Sequence, residues 1–138
     1  MDMLRPFDSQ TQLLNKVLDL RAEKAQVIAA NIANAETPGF SPARFEFEKE
    51  LAAAINQDSA LRMATSHAGH ISPGAGSFHS VSGKIVLEPA QTAIGDGNGV
   101  SVDQEMLDLS ENALLYETAT ALYKKKTTML KHVISGGQ

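Results

Sequence analysis

SVDQEMLDLSENALLYETATALYKKKTTMLKHVI, residues 101–134, is the stretch that decides how this chain is built. Val102, Met106, Leu109, Ala113, Tyr116, Thr120, Tyr123, Thr127, Leu130 and Ile134 recur at alternating steps of four and three, a heptad seam that no Pro or Gly interrupts. At 1.5 Å per residue such a helix runs about 50 Å, longer than a compact domain of this mass is wide. It is expected to project from, or bind beyond, any local core. Ser101 is placed to cap the first amides with Gln104 as its reciprocal partner. Asp103, Glu105, Asp108 and Glu111 lie near the positive end of the helix dipole, while Lys124, Lys125, Lys126 and Lys131 lie toward the negative end. Gly136 and Gly137 then stop the helix.

Toward the N-terminus the same period appears again. Leu14, Leu18, Arg21, Ala25, Ile28 and Ile32 follow steps of four and three, Phe7 extends the seam backward by a heptad, and Ser9 with Gln12 offers a capping box. Leu13, Val17, Leu20 and Val27 widen the stripe into a face broad enough for more than one neighbour. The helix predicted over residues 7–35 ends before Thr37, Pro38 and Gly39, where Pro38 disfavours helical geometry at Thr37 and Gly39 is free to take positive φ. An extended piece from Arg44 to Glu48 should lead into a short helix over residues 50–55. Phe40, Phe45 and Phe47 are read as stapling this turn back onto the helices, the other reading being an aromatic contact for a partner.

Between the helices the composition changes. Of ten glycines, seven lie in residues 66–100, a window whose only charged side chains are Lys84, Glu88 and Asp96. So apolar-poor a segment cannot repay its ordering entropy alone, and it is expected to be flexible unless another chain supports it. Lys84, Ile85, Val86 and Leu87 read as a strand there, ended by Pro89. The fold class that follows is mainly α: long N- and C-terminal heptad helices packing as a helical hairpin or coiled coil, with an irregular Gly/Ser-rich middle that holds a short helix and a short β strand. Residues 1–138 read as one domain, divided into an N-terminal helix (7–35), a turn, short helix and flexible middle (36–100), and a C-terminal helix (101–134).

Composition excludes more functions than it suggests. The net charge is -4, with no basic stripe interleaved with aromatics, so nucleic acid is not an expected partner. No Cys is present for a disulfide, a thiolate nucleophile or a soft-metal site. His67, His70 and His79 have no acidic residue among them and read as ordinary polar loop residues, and His132 as a residue of the last helical turn. The glycines around Asp96 and Asn98 lack the strand and the Gly-Lys-Ser/Thr end of a phosphate loop. No catalytic residue, cofactor or metal is expected, and the chain is not read as an enzyme. No run of eighteen apolar residues marks a membrane span, and Asp2 without a basic and then apolar leader argues against a cleaved signal.

Small and polar seam positions such as Arg21, Ala25, Ala113, Thr120 and Thr127 suit a crowded multi-helix contact better than an isolated two-stranded coil. AANIANAETPGF at residues 29–40, followed by GNGVSVDQEMLDLSENALLYE at residues 97–117, resembles the rod proteins of the bacterial flagellar basal body, the proximal rod member most of all. The resemblance implies a structural role: subunits exported by the flagellar type III apparatus without a cleaved signal, whose terminal helices pack in parallel into a torque-transmitting axial tube across the periplasm. It implies other rod proteins, the basal adaptor protein of the rod and the export gate as partners, in homo- and hetero-oligomeric contacts. By that resemblance Asn31, Asn34, Thr37, Pro38 and Gly39 set how the first helix leaves the tube wall. Gly97, Asn98, Val100, Glu105, Met106, Asn112 and Tyr116 take part in packing. Gln104 stands where the pattern has an acidic residue, and Phe40 where it has Tyr. The alternative from another class is a cytoplasmic helical adaptor or chaperone that binds one partner through the same seams.

Overall fold

The computed structural model describes residues 9–59, 78–88 and 99–136. In chain order they form helix α1 (Ser9–Ala33), strand β1 (Ala43–Glu46), helix α2 (Glu48–Ser59), a 3-10 turn (Phe78–Ser80), strand β2 (Lys84–Leu87) and helix α3 (Val102–Ile134). The fold is mainly helical, as the two heptad patterns require, with a small antiparallel pair of strands between the long helices.

Helices α1 and α3 pack antiparallel. Side-chain contacts join Asn31 to Glu105, Arg21 to Asn112 and Gln10 to Lys126, so a descent of 21 residues along α1 (31 to 10) meets a rise of 21 along α3 (105 to 126). α3 continues to Ile134, past the described start of α1.

α1 ends where the sequence places its stop. Asn34 and Ala35 close the last turn onto Ala30, Asn31 and Ile32, Thr37 N–H donates to Asn34 O at 2.9 Å, and Phe40 N–H returns to Thr37 O across a Gly39 with φ of 71°. The redirected chain becomes β1, which pairs with β2 in the register Ala43 to Leu87, Arg44 to Val86, Phe45 to Ile85 and Glu46 to Lys84.

The apolar core sits on the side of α1 that faces the middle of the chain. Leu20, Phe45, Phe47, Leu51, Ala54, Phe78 and Val81 form one buried cluster, with Leu13, Val17 and Val27 of α1 packed against it. Phe45 and Phe47 therefore staple the turn onto α1, with ring centroids 5.7 Å apart. The widened face of α1 serves this cluster, while the stripe next to it serves α3.

Within the middle segment expected to be flexible, residues 78–88 are packed against the rest of the fold. Phe78 and Val81 insert into the cluster and β2 pairs with β1, so this part is anchored by two side chains and a ladder that a composition average hides. Gly83 makes the approach possible: its φ is 69°, and a Cβ there would fall 2.3 Å from Phe45 Cζ. Residues 66–77 and 89–98 lie outside the described residues, with His67, His70, Gly97 and Asn98 among them; so do Phe7 and Gly137.

Candidate assembly interface

Two surfaces of α3 bear on function: the side that meets α1 and the sides left exposed among the described residues. Toward α1 the contact is polar. Glu105, Asn112 and Ala119 are its buried residues, spaced by seven, with Leu109, Thr120, Tyr123, Lys126 and Leu130 partly covered. Relative to the apolar heptad, half of the intramolecular seam is displaced by one residue: 105, 112, 119 and 126 take the places expected for Met106, Ala113, Thr120 and Thr127. Specific hydrogen bonds, rather than the most apolar stripe, set the rotation of α3 about its axis.

Those bonds centre on two asparagines. Asn31 is buried to 1% exposure; its Nδ2 donates to Ala43 O at 2.8 Å and to Glu105 Oε2 at 3.1 Å, and its Oδ1 accepts from Ala43 N–H at 3.0 Å. One amide thus ties α1, β1 and α3 together. Asn112 repeats the device lower down: Nδ2 donates to Arg21 O at 2.9 Å and Oδ1 accepts from Arg21 Nη1 at 3.2 Å. Burying amides is tolerable because each is satisfied; among the described residues no buried side-chain polar atom lacks a partner.

Arg44 completes the lock from β1. Its Nε donates to Glu88, just past the end of β2, at 2.9 Å, its Nη1 to Asp108, and Nη1 lies 3.8 Å from Glu105 Oε1. Burial works to lower the affinity of this guanidinium for its proton, but the bonds to Glu88 and Asp108 and the charge of Glu105 outweigh it, so the pKa is raised. On the opposite flank Lys24 Nζ meets Glu48 Oε1 at 2.7 Å, with Arg21 3.5 Å from the same oxygen. Burial raises the Glu48 pKa, yet the Lys24 bond and the backbone amides of Glu48 and Phe47 prevail and hold it below its ordinary 4.5.

The remaining sequence-derived positions divide by location. Leu14, Leu18, Ala25 and Ile32 of α1 are partly covered and Ile28 is buried. Asn34 caps locally, donating to Ala30 O at 2.8 Å and accepting from the Thr37 hydroxyl, while Pro38 and Gly39 form the exposed bend and Val100 is partly covered. Val102, Met106, Ala113, Tyr116 and Ile134 stay exposed, as do Leu107, Leu114, Leu115, Leu122, Met129 and Val133. The sequence marks Asp108 only as a helix-dipole charge and Arg44 and Glu48 only as the ends of an extended piece; a lone Arg in a short strand is the available sign of the ion-pair role. The cap expected of Ser101 is also corrected. Its side chain makes no capping bond, and Gln104 turns down the helix to donate to Asp108 Oδ1 at 2.8 Å, so the reciprocal half of the box is empty as well.

Five hydroxyls on α3 point inward along the helix instead. Ser110, Thr118, Thr120, Thr127 and Thr128 each donate to the carbonyl four residues earlier, at 2.8–3.0 Å. His79, the one loop histidine within the described residues, lies 3.0 Å from Gln12 Oε1 with its ring over Phe78, as a side chain bridging the turn to α1. No described helix is long and apolar enough to cross a membrane.

A buried polar lock on one side of a long helix, and large apolar side chains on the others, is the surface of a subunit. The family model for the flagella basal body rod protein matches residues 18–40, which contain Asn31 and the Pro38–Gly39 bend. Over its full length the chain is similar to flagellar basal body rod protein FlgB of Salmonella typhimurium, at 30% identity with 98% of this chain and 99% of the relative covered. FlgB of Aeromonas hydrophila is 31% identical over 96% and 97%, and FlgB of Borreliella burgdorferi 30% identical over 85% and 89%. These likenesses leave the single-partner adaptor reading without support. The chain belongs to the FlgB family of flagellar basal body rod proteins and is a structural component of the basal body rod.

Proposed function

We propose that residues 1–138 act as one rod domain in the proximal part of the rod, where the terminal helices pack in parallel with those of sister and sibling subunits to form a torque-transmitting tube. The observation that carries this reading is the uncovered apolar surface of α3: Leu107, Leu114, Leu115, Leu122, Met129 and Val133 are all exposed. So much apolar area on one helix is an interaction surface awaiting neighbours. In this role the asparagine and Arg44 contacts hold the outer strand pair at a fixed angle to the helices, and the 34–39 bend sets where the chain leaves the wall. Val100, Met106 and Tyr116 belong to the packing surface between subunits; Gly97 and Asn98, which the family resemblance adds to them, lie outside the described residues.

The same reading takes the chain through the flagellar type III exporter to the periplasm, with the export gate, the basal adaptor protein and other rod proteins as neighbours. The rod role asks for no catalysis and no cofactor. Deleting the gene should abolish rod and hook, and expressing the full chain should restore both along with swimming. A deletion strain that still builds rods would overturn the proposal.

A further inference from the structure

Charge on α3 is sorted along its length. Its acidic residues, Asp103, Glu105, Asp108, Glu111 and Glu117, all precede residue 118, and its lysines, 124, 125, 126 and 131, all follow residue 123. Glu105 and Asp108 are occupied by Asn31 and Arg44 inside the subunit. Asp103, Glu111 and Glu117 remain exposed at one end, and Lys124, Lys125 and Lys131 at the other.

The exposed charges fall on heptad columns away from α1. Positions 103, 117, 124 and 131 share one column, running acid, acid, base, base at multiples of seven. Beside it lie Met106 and Ala113, next to a groove of about 340 Å³ between α1 and α3 lined by Ala22, Ala25, Leu109 and Tyr116. On the opposite side of the α1-facing seam, in the column of Asp108, lie Leu115, Leu122 and Met129, again seven apart. α3 therefore presents two unlike apolar flanks, which is what a head-to-tail contact needs and a two-fold contact does not.

We infer that a second copy of this chain packs its α3 parallel to the first but slid along it by three heptads, so that the acidic half of one α3 meets the lysine half of the next, Asp103 level with Lys124. At 1.5 Å per residue the offset is about 32 Å. With no offset, acidic residues face acidic and lysines face lysines, and the contact is repulsive. A slide by whole heptads keeps the apolar columns in phase while exchanging repulsion for attraction. The inference rests on the parallel packing proposed above and adds the partner and the register.

The chain contains no cysteine, so cross-linking can read the register directly. Full-length chains carrying Ser110→Cys and Thr128→Cys, separately tagged and co-expressed in the deletion strain, should form a mixed disulfide, whereas Ser110→Cys or Thr118→Cys alone should not link to itself. Self-linking through residue 110 would mean an unstaggered pair, and through residue 118 a closed antiparallel pair; either overturns the inference. So would absence of the mixed link in cells whose swimming is restored, an outcome that leaves the rod role intact. Restored swimming in none of the strains, wild-type chain included, would strike the rod role instead.

A charge test in the purified full chain is independent of cysteine. Lys124→Glu with Lys131→Glu should weaken self-association about tenfold, as should Asp103→Lys with Glu117→Lys. Mixing the two variants should recover it. Unchanged association in either double variant alone, or no recovery on mixing, would overturn the inference.

Discussion

α1 is clamped between two surfaces that hold it by different physics. On one side Leu20 enters a closed cluster with Phe45, Phe47, Leu51, Phe78 and Val81. On the other, Asn31 and Arg21 reach across to Glu105 and Asn112 of α3. Apolar burial is non-directional and scales with area, so the first surface supplies stability and tolerates small sliding. Buried amides and ion pairs gain little over hydration but lose much when mismatched, so the second supplies register.

Phe47→Ala gives the largest effect. The ring is 2% exposed, with Arg21 5.1 Å and Lys24 5.9 Å from its centroid, and its loss should cost about 3–5 kcal/mol in denaturant unfolding. A cost under about 1 kcal/mol would break the assignment of stability to the cluster.

Asn31→Ala comes next, at roughly 2–4 kcal/mol, because both polar groups of Ala43 and one Glu105 oxygen lose their partner together. Amide exchange should then quicken along β1 and the first turns of α3 while Leu20 and Leu51 stay protected. Uniform loss of protection would mean that the two surfaces are one cooperative unit.

The smallest effect is that of pH. Glu48 has a folded pKa below its unfolded value, so its contribution is present above the unfolded value and disappears as pH falls through the folded one. Since 44% of its side chain is exposed, the change should stay below about 1 kcal/mol. Glu48→Gln should remove that component of the acid limb of a stability profile, and an unchanged limb would count against the Lys24 bond.

The same contrast explains what could be read from sequence. Helix limits, the Pro38–Gly39 bend and the strand at Lys84–Leu87 follow from local rules of period, turn chemistry and propensity. Residue classes that any window detects, such as Phe45 and Phe47, are legible as stapling the turn onto the helices. The one-residue displacement of the α3 seam was not legible, because it depends on partners 74 and 91 positions away for Glu105 and Asn112. Arg44 was missed for a like reason: its meaning lies in Glu88 and Asp108, 44 and 64 positions distant.

The inward-turned hydroxyls of α3 carry a consequence for how a subunit survives before it is built in. Each donor is already engaged with its own helix, so covering Thr118 or Thr127 with a neighbour strips away weakly held water and demands no new acceptor. Unassembled, those positions lend the helix wettability; once enclosed, they behave nearly as valines.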